Sequence, residues 1–306
     1  MQSNQMLSSP FMDNRFNTSY LTLGGYVDVH KYGYFYFAFM LATFIFIISS
    51  NSIIVYLICV HRSLHEPMYI FIAALLMNYV LFCTTLYPKL LTDFLSEKQI
   101  ISYPLCIFQA FFHYSFGGSE FFLLTAMAFD RTQTIKLILV LAWLVPACEL
   151  TASAVLTTRL KLCRFFMHQK VNCDFYSLAK LTCGDTSVIQ AYGLFLIINL
   201  IFLPVVFIVF SYTKILIITF NGSRNEKKKA MQTCLPHLLA LINISTLSGF
   251  ESIRIRVKAS IPQTTNFILY LLLIGCSSVF NPFIYGLKMK EISKRLKALL
   301  CQNNLD

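Results

Sequence analysis

Two ionisable groups stand side by side at Asp130-Arg131, where the apolar run Tyr103 to Phe129 ends. Hydrocarbon rarely holds such a pair without a task for it. Eleven residues earlier on the same run is Glu120, about three helical turns and roughly 16 Å deeper if the run is helical. A bare carboxylate at that depth costs about 2.5 to 3.5 kcal/mol even on lenient insertion scales, so Glu120 is either protonated or paired with a cation. The six histidines lack the spacing of a metal site, and no nucleophile signature accompanies them. The chemistry available is therefore charge pairing, binding and switching rather than enzymatic turnover.

The elements that carry these groups follow from composition. The 306 residues are 57% hydrophobic and only 13% charged, with a mean hydropathy of +0.64, which excludes an ordinary soluble domain. Cutting the chain into apolar stretches of about 20 residues, the length that spans a bilayer as helix, gives seven spans. They run from Tyr32 to Cys59, Met68 to Leu91, Tyr103 to Phe129, Lys136 to Thr157, Ala191 to Thr219, Met231 to Ile255 and Asn266 to Leu287. The sixth is the least apolar, since it carries His237 and Asn243. The expected fold is an all-α membrane protein, a seven-transmembrane helix bundle followed by a short amphipathic helix.

Met1 to Tyr26 has no sustained apolar core behind a basic start, so the first span is expected to direct its own insertion. Lys and Arg divide almost evenly between the two sides and leave the positive-inside rule undecided. An outside amino terminus is favoured by the sequon Asn17-Thr18-Ser19, a glycosylation acceptor, and by four cysteines that would then face an oxidising space. Cys106 opens the third span, and Cys163, Cys173 and Cys183 follow the fourth. Four cysteines allow three pairings, which sequence leaves open. One of them, Cys106 with Cys173 and Cys163 with Cys183, would pin the long loop over the mouth of the bundle. Cys301 lies beyond a basic amphipathic stretch and is a candidate for palmitoylation, while the cysteines inside spans fit apolar packing.

Leu64-His65-Glu66-Pro67-Met68-Tyr69 enters the second span and Met127-Ala128-Phe129-Asp130-Arg131 closes the third. Ser211-Tyr212 ends the fifth, Lys229-Ala230-Met231-Gln232-Thr233-Cys234-Leu235-Pro236-His237 starts the sixth, and Asn281-Pro282-Phe283-Ile284-Tyr285 ends the seventh. In this order the set resembles the odorant receptor family of rhodopsin-like G-protein-coupled receptors, from Asn51 to Lys290. Ser96 to Ser102 resembles the fish-type branch. The resemblance implies an outer segment 1–31, a receptor domain 32–287 and a cytosolic tail 288–306.

It also implies roles. Asp130 and Arg131 match a latch that opens for a G protein, and Tyr212 and Tyr285 match tyrosines that support that arginine. Pro282 removes a backbone hydrogen bond beside Asn281 and allows the seventh helix to bend, and Pro204 is expected to do the same in the fifth. Relatives hold a sodium ion between a glutamate at the place of Glu120 and an aspartate of the second span; here that aspartate is replaced by Tyr79, next to Asn78. No cofactor is required, and Glu120, Asn78, Ser277, Ser278 and Asn281 are the candidates for a sodium site. Ser245-Thr246 stands where relatives have an aromatic followed by glycine.

The ligand implied is a small-molecule odorant, held among the outer halves of the third, fifth, sixth and seventh helices. His113 and Tyr114 offer polar contacts, Gly117 and Gly118 leave room, and Phe195, Ser248, Ser252 and Leu271 are the other expected walls. Basic residues in the outer loops, among them Arg159, Lys161 and Arg164, could attract anionic ligands or simply be solvated. The other implied partner is a heterotrimeric G protein of the olfactory stimulatory type. Lys227-Lys228-Lys229 and the basic strip Lys288 to Lys297 should lie on anionic membrane lipid, and no nucleic-acid fold accompanies them. Only Thr132 to Ile135 separate Arg131 from the fourth span. Four residues reach about 14 Å, enough to join helices 8 to 10 Å apart, but relatives have a longer loop there that contacts the G protein. A receptor that has lost this block and signals poorly is thus the second reading. A transporter, with related halves and broken midplane helices, is the third and has no support in the residues.

Overall fold

The computed structural model describes residues 12–13, 18–129, 135–220, 224–256 and 261–302. Asn17, Asp130 and Arg131 lie outside the described residues. Long helices are α1 (Val29–Val60), α2 (Pro67–Leu95), α3 (Tyr103–Phe129), α4 (Ile135–Thr158), α6 (Ser187–Ile197) continuing through a π turn into α7 (Leu203–Phe220), α8 (Arg224–Arg256) and α9 (Gln263–Lys288). A short α5 (Phe175–Ala179) lies in the loop before α6, and α10 (Lys290–Gln302) follows α9. The chain is an all-α membrane protein whose seven helical runs agree with the seven expected spans.

Five of these runs are long and apolar enough to cross a membrane, with mean hydropathy from 1.9 to 2.9 over their best windows. The other two, α3 and α8, carry the polar interior: His113, Ser115, Ser119 and Glu120 on one, His237, Asn243 and Ser245 on the other. The apolar side chains left exposed lie mainly on α1, α4, α6 and α7, where Phe35, Leu144, Leu194 and Phe210 face outward. In a lipid solvent this pattern is satisfied, because tails are as apolar as the side chains.

Inside, apolar packing forms two clusters. The outer one gathers Tyr87, Phe94, Cys106, Leu200 and Phe267, and the inner one Ile72, Leu75, Phe121, Leu124 and Tyr285. Buried polar side chains Asn51, Asn78, Glu120, Ser278 and Asn281 belong to neither cluster. The π turn Ile198–Phe202 immediately precedes Leu203 and Pro204. Proline has no N–H to donate, so the carbonyls one turn earlier rearrange, and a π turn is one way for a helix to absorb that. The disturbance of helical hydrogen bonding expected at Pro204 thus coincides with this π turn.

A small sheet, which helical periodicity does not announce, covers the outer end. Strand β1 (Met12–Asp13) pairs with β2 (Thr18–Gly24), which also pairs antiparallel with β3 (Ile100–Ser102) and parallel with β4 (Phe166–His168). Leu21 and Leu23 of β2 are fully buried, at 0% and 2% exposure, so this strand is anchored in the core. Each such side chain contributes about 1.5 to 3 kcal/mol where its alternative is water. The run Ser96 to Ser102 forms the corner into β3, and Gln99 O accepts from Leu23 N at 2.8 Å. At the other end Ile292 of α10 is buried, Lys294 and Lys297 are exposed, and Arg295 reaches Ser63 between α1 and α2 at 3.3 Å.

Candidate ligand cavity and inner polar core

The outer lid is built from cysteines and two ion pairs. Cys106 at the start of α3 is bonded to Cys173, with Cα atoms 5.3 Å apart, and Cys163 to Cys183, with Cα atoms 5.5 Å apart. Cys173 N also donates to Gln109 Oε1 at 3.1 Å, which doubles the tie between this loop and α3. Next to the bridge, Asp174 caps α5 by accepting from Ser177 N at 2.7 Å and pairs with Lys170 at 2.8 Å. Burial alone would raise the Asp174 carboxyl, but the Lys170 charge and the hydrogen bonds outweigh it and hold the group below the usual range. On the far side of the sheet, Tyr26 Oη donates to Asp93 Oδ2 at 2.8 Å, and Asp93 is paired with Lys89. Burial first, and then the Asp93 charge, push the Tyr26 phenol well above its ordinary value. From α9, Gln263 Nε2 donates to the carbonyls of Gly24 and Tyr26, and Asn266 Nδ2 to that of Gln169.

Beneath the lid lies a cavity of about 240 Å³. His113, Tyr114, Gly117 and Gly118 of α3 and Ser248 and Ser252 of α8 all line it, as expected from the sequence. The two glycines differ in role. A Cβ on Gly117 meets nothing within 4 Å, so this glycine opens the cavity, whereas a Cβ on Gly118 would stand 3.1 Å from Pro146 Cβ. Gly118 therefore serves close packing of α3 on α4 more than ligand space. His113 Nδ1 is buried without a hydrogen-bond partner among the described residues, and its ring lies 5.1 Å from that of Phe82.

Two expected walls are corrected. Phe195 is 51% exposed on the outer face of α6, where Gly193, Leu196 and Ile197 line the cavity instead. Leu271 packs on the outer core cluster, and Tyr270, Leu273 and Ile274 take its expected place. Both misplacements are rotations of about 100° on a helix, one residue's worth. Asn172, Phe175 and Tyr176 of the loop and Gln190 of α6 also line the cavity and were not singled out from sequence, and Glu251 of α8, expected near the headgroups when the sixth span is extended outward, lines it too. Glu251 was legible, because it lies three residues after Ser248 and shares its face. The loop residues were not, since the disulfide pairing decides which of them is carried over the bundle.

The cavity floor reaches Asn78, Tyr79 and Glu120. Asn78 is held at both ends of its amide: its Nδ2 donates to Phe116 O at 2.8 Å and its Oδ1 accepts from Trp143 Nε1 at 3.0 Å. Ser278 Oγ accepts from Cys83 Sγ at 3.2 Å. Asn281 lies beside Glu120, yet among the described residues no hydrogen bond of regular geometry engages its amide, and Glu120 Oε1 and Tyr79 Oη are likewise buried without one. The side chain of Ser277 lies outside the described residues, as does that of Cys301. Hard cations are held by about six oxygens, and Glu120 with Asn281 supplies too few. These residues therefore fit a sodium ion poorly.

Further inward, Tyr212 is 4% and Tyr285 0% exposed, and the ring of His237 lies 5.8 Å from that of Tyr285. Tyr285 Oη and His237 Nδ1 have no hydrogen-bond partner among the described residues. Pro282 is inside α9, between Asn281 and this cluster. Sequence reading also passed over Glu149, an acidic residue within α4. It accepts from Asn199 of the π turn, and its carbonyl accepts from Tyr192 Oη at 2.8 Å, so it ties α4 to the fifth helical run. An acid inside an apolar run was the signal that could have found it.

The protein-family model described as olfactory receptor matches residues 39–303. The chain belongs to the olfactory receptor family. It is therefore a seven-helix receptor and not an enzyme. This olfactory receptor is 30% identical to "Olfactory receptor 2M3" of Homo sapiens over 305 residues, 94% of this chain and 96% of the relative. To "Olfactory receptor-like protein OLF4" of Canis lupus familiaris it is 28% identical over 291 residues, 89% of this chain and 93% of the relative. Among solved structures, squid rhodopsin superposes with a TM-score of 0.74 over 90% of this chain and 87% of the other, at 15% identity, which shows the shared fold. The match to the human receptor runs over 305 aligned positions, but 94% of 306 residues is about 288. About 17 positions of that match thus have no residue of this olfactory receptor opposite them.

Proposed function

We propose that this olfactory receptor sits in the plasma membrane with its amino terminus outside, binds a small odorant in the cavity beneath the lid, and activates a heterotrimeric G protein of the stimulatory type. The observation that carries the reading is the continuity of α3 and α9 from cavity to inner core. Tyr270 and Ile274 line the cavity, and Asn281, Pro282 and Tyr285 follow on the same helix; His113, Gly117 and Glu120 do the same on α3. A ligand that wedges α3 from α8 and α9 shifts the population of the Tyr212, His237 and Tyr285 packing by its differential affinity for the two arrangements. The matching residues Asp130 and Arg131 then open toward the G protein. Basic residues of α10 keep the tail on anionic lipid.

A second reading is favoured by one observation. Only residues 130–134 join α3 to α4, and the olfactory receptor match leaves about 17 positions unfilled. If those positions are the second cytosolic loop, the chain binds ligand but couples weakly. Ligand-evoked cyclic AMP in cells expressing this chain, against a version given a full-length loop after Arg131, separates the two. Equal responses support full coupling; a response only after restoration supports the impaired form.

A further inference from the structure

We propose that the cavity selects a small apolar amine, bound as its ammonium ion, with the Glu251 carboxylate as its anchor; this rests on the reading that the cavity is the ligand site. Glu251 lines the cavity from α8, flanked by the hydroxyls of Ser248 and Ser252 on the same face. His113 of α3 lines the same cavity. The floor adds a second acidic side chain, Glu120. Among the described residues that line the cavity, none is Lys or Arg.

This distribution decides between ligand classes. A carboxylate ligand would meet Glu251 and, among the described lining residues, no Lys or Arg, in a site where charges are poorly screened. A neutral alcohol offers one donor to a carboxylate that can accept about four. An ammonium offers three donors and the opposite charge, and hydrogen bonds between ionised partners are about twice as strong as neutral ones. Glu251 has a partner within the protein as well, which its several acceptor positions accommodate. The remaining walls, including Phe82, Phe175, Leu247 and Ile274, fit a hydrocarbon tail, and 240 Å³ has room for about eight groups the size of a water at about 30 Å³ each. Arg159, Lys161 and Arg164 are exposed on the outer loops and do not line the cavity, so they do not set its preference.

The test uses binding, because it does not depend on coupling. Trp143 is the single tryptophan of the chain and donates to Asn78, which lines the cavity floor, so its fluorescence reports occupancy. Purified receptor in lipid nanodiscs is titrated at pH 7 with hexylamine, 1-hexanol and hexanoate. Hexylamine should bind at least tenfold more tightly than 1-hexanol, with hexanoate weakest. Glu251→Gln should bring hexylamine within about threefold of 1-hexanol while leaving the alcohol unchanged, and Glu251→Asp should keep the amine preference. Equal or tighter binding of the alcohol by the wild type, no binding of the amine, or an unchanged amine affinity in Glu251→Gln overturns the proposal. Should Glu251→Gln fail to fold, loss of the amine preference in Glu251→Asp overturns it and retention supports it. Gly117→Phe separates the two levels of inference. If it blocks 1-hexanol while the amine is not preferred, only the amine selection falls; if it blocks none of the probes that bind the wild type, the cavity reading falls as well.

Discussion

The indole Nε1 of Trp143 donates to Asn78 Oδ1 at 3.0 Å, and the same Asn78 donates to Phe116 O at 2.8 Å, so one side chain of α2 joins α3 and α4 at the cavity floor. Asn78 is 1% exposed. Trp143→Phe leaves its oxygen buried and unpaired, which should cost about 1 to 2 kcal/mol. Thermal unfolding in detergent should fall by a few degrees. Asn78→Ala in the same background should add less than it does in the wild type, since the pair acts as a unit.

Gly117 and Gly118 are adjacent but should respond in opposite ways. Gly118→Val places a branched side chain against Pro146, 3.1 Å from the new Cβ, and should cost about 1 to 3 kcal/mol. Gly117→Val meets open space and should leave the unfolding temperature unchanged or slightly raised, while reducing ligand affinity by filling the cavity. Parallel thermal and fluorescence titrations of the two variants check this.

The lid depends on a glycine at one close approach. A Cβ on Gly25 would overlap the backbone of Lys170, beside which Gly25 N donates to Lys170 O at 2.9 Å. Backbone cannot yield as a flexible side chain can, so Gly25→Ala should disrupt the lid and reduce the amount of receptor at the cell surface several-fold. Gly184→Ala, whose Cβ would lie at an ordinary 3.7 Å from Leu160, should not. Surface labelling of an amino-terminal tag measures both.

The pH response of the lid follows from Asp174. Its carboxyl is held below the ordinary 3.8 because the Lys170 charge and hydrogen bonds outweigh burial, so the folded state binds this proton less readily than the unfolded chain. The stability it contributes is therefore complete above about pH 4 and is lost as pH falls through the lowered folded value. Unfolding temperature should show no contribution from Asp174 titration between pH 5 and 8 and should decline below about pH 4. Asp174→Asn should lower stability at pH 7 by about 2 to 3 kcal/mol, because Lys170 loses its partner, and should flatten the decline in acid.

Much of this architecture is legible along the chain. Seven apolar runs of spanning length, the cysteines and the inner motifs need only local composition and spacing, and the observed helices begin and end within about four residues of the expected spans, except that α8 begins seven residues before Met231. What periodicity conveys less well is rotation. Phe195 and Gly193 are two residues apart, yet one faces outward and the other the cavity. On a nearly uniform apolar helix such as α6, no polar face marks which side points inward.

Sequence by itself determined that this chain crosses a membrane with seven helices, supplies four cysteines to one face, and belongs with receptors; each of these rests on hydropathy or on motifs contiguous in the chain. Tertiary structure alone decided which cysteines pair, that Thr18–Gly24 is a strand with Leu21 and Leu23 buried, and that Glu251, Tyr176 and Gln190 surround one cavity. The reason is distance along the chain. Tyr20 pairs with Ser102, Thr22 with Phe166, and Gln263 bonds Gly24, contacts whose partners lie dozens to hundreds of residues apart and whose choice depends on three-dimensional packing that no local pattern encodes.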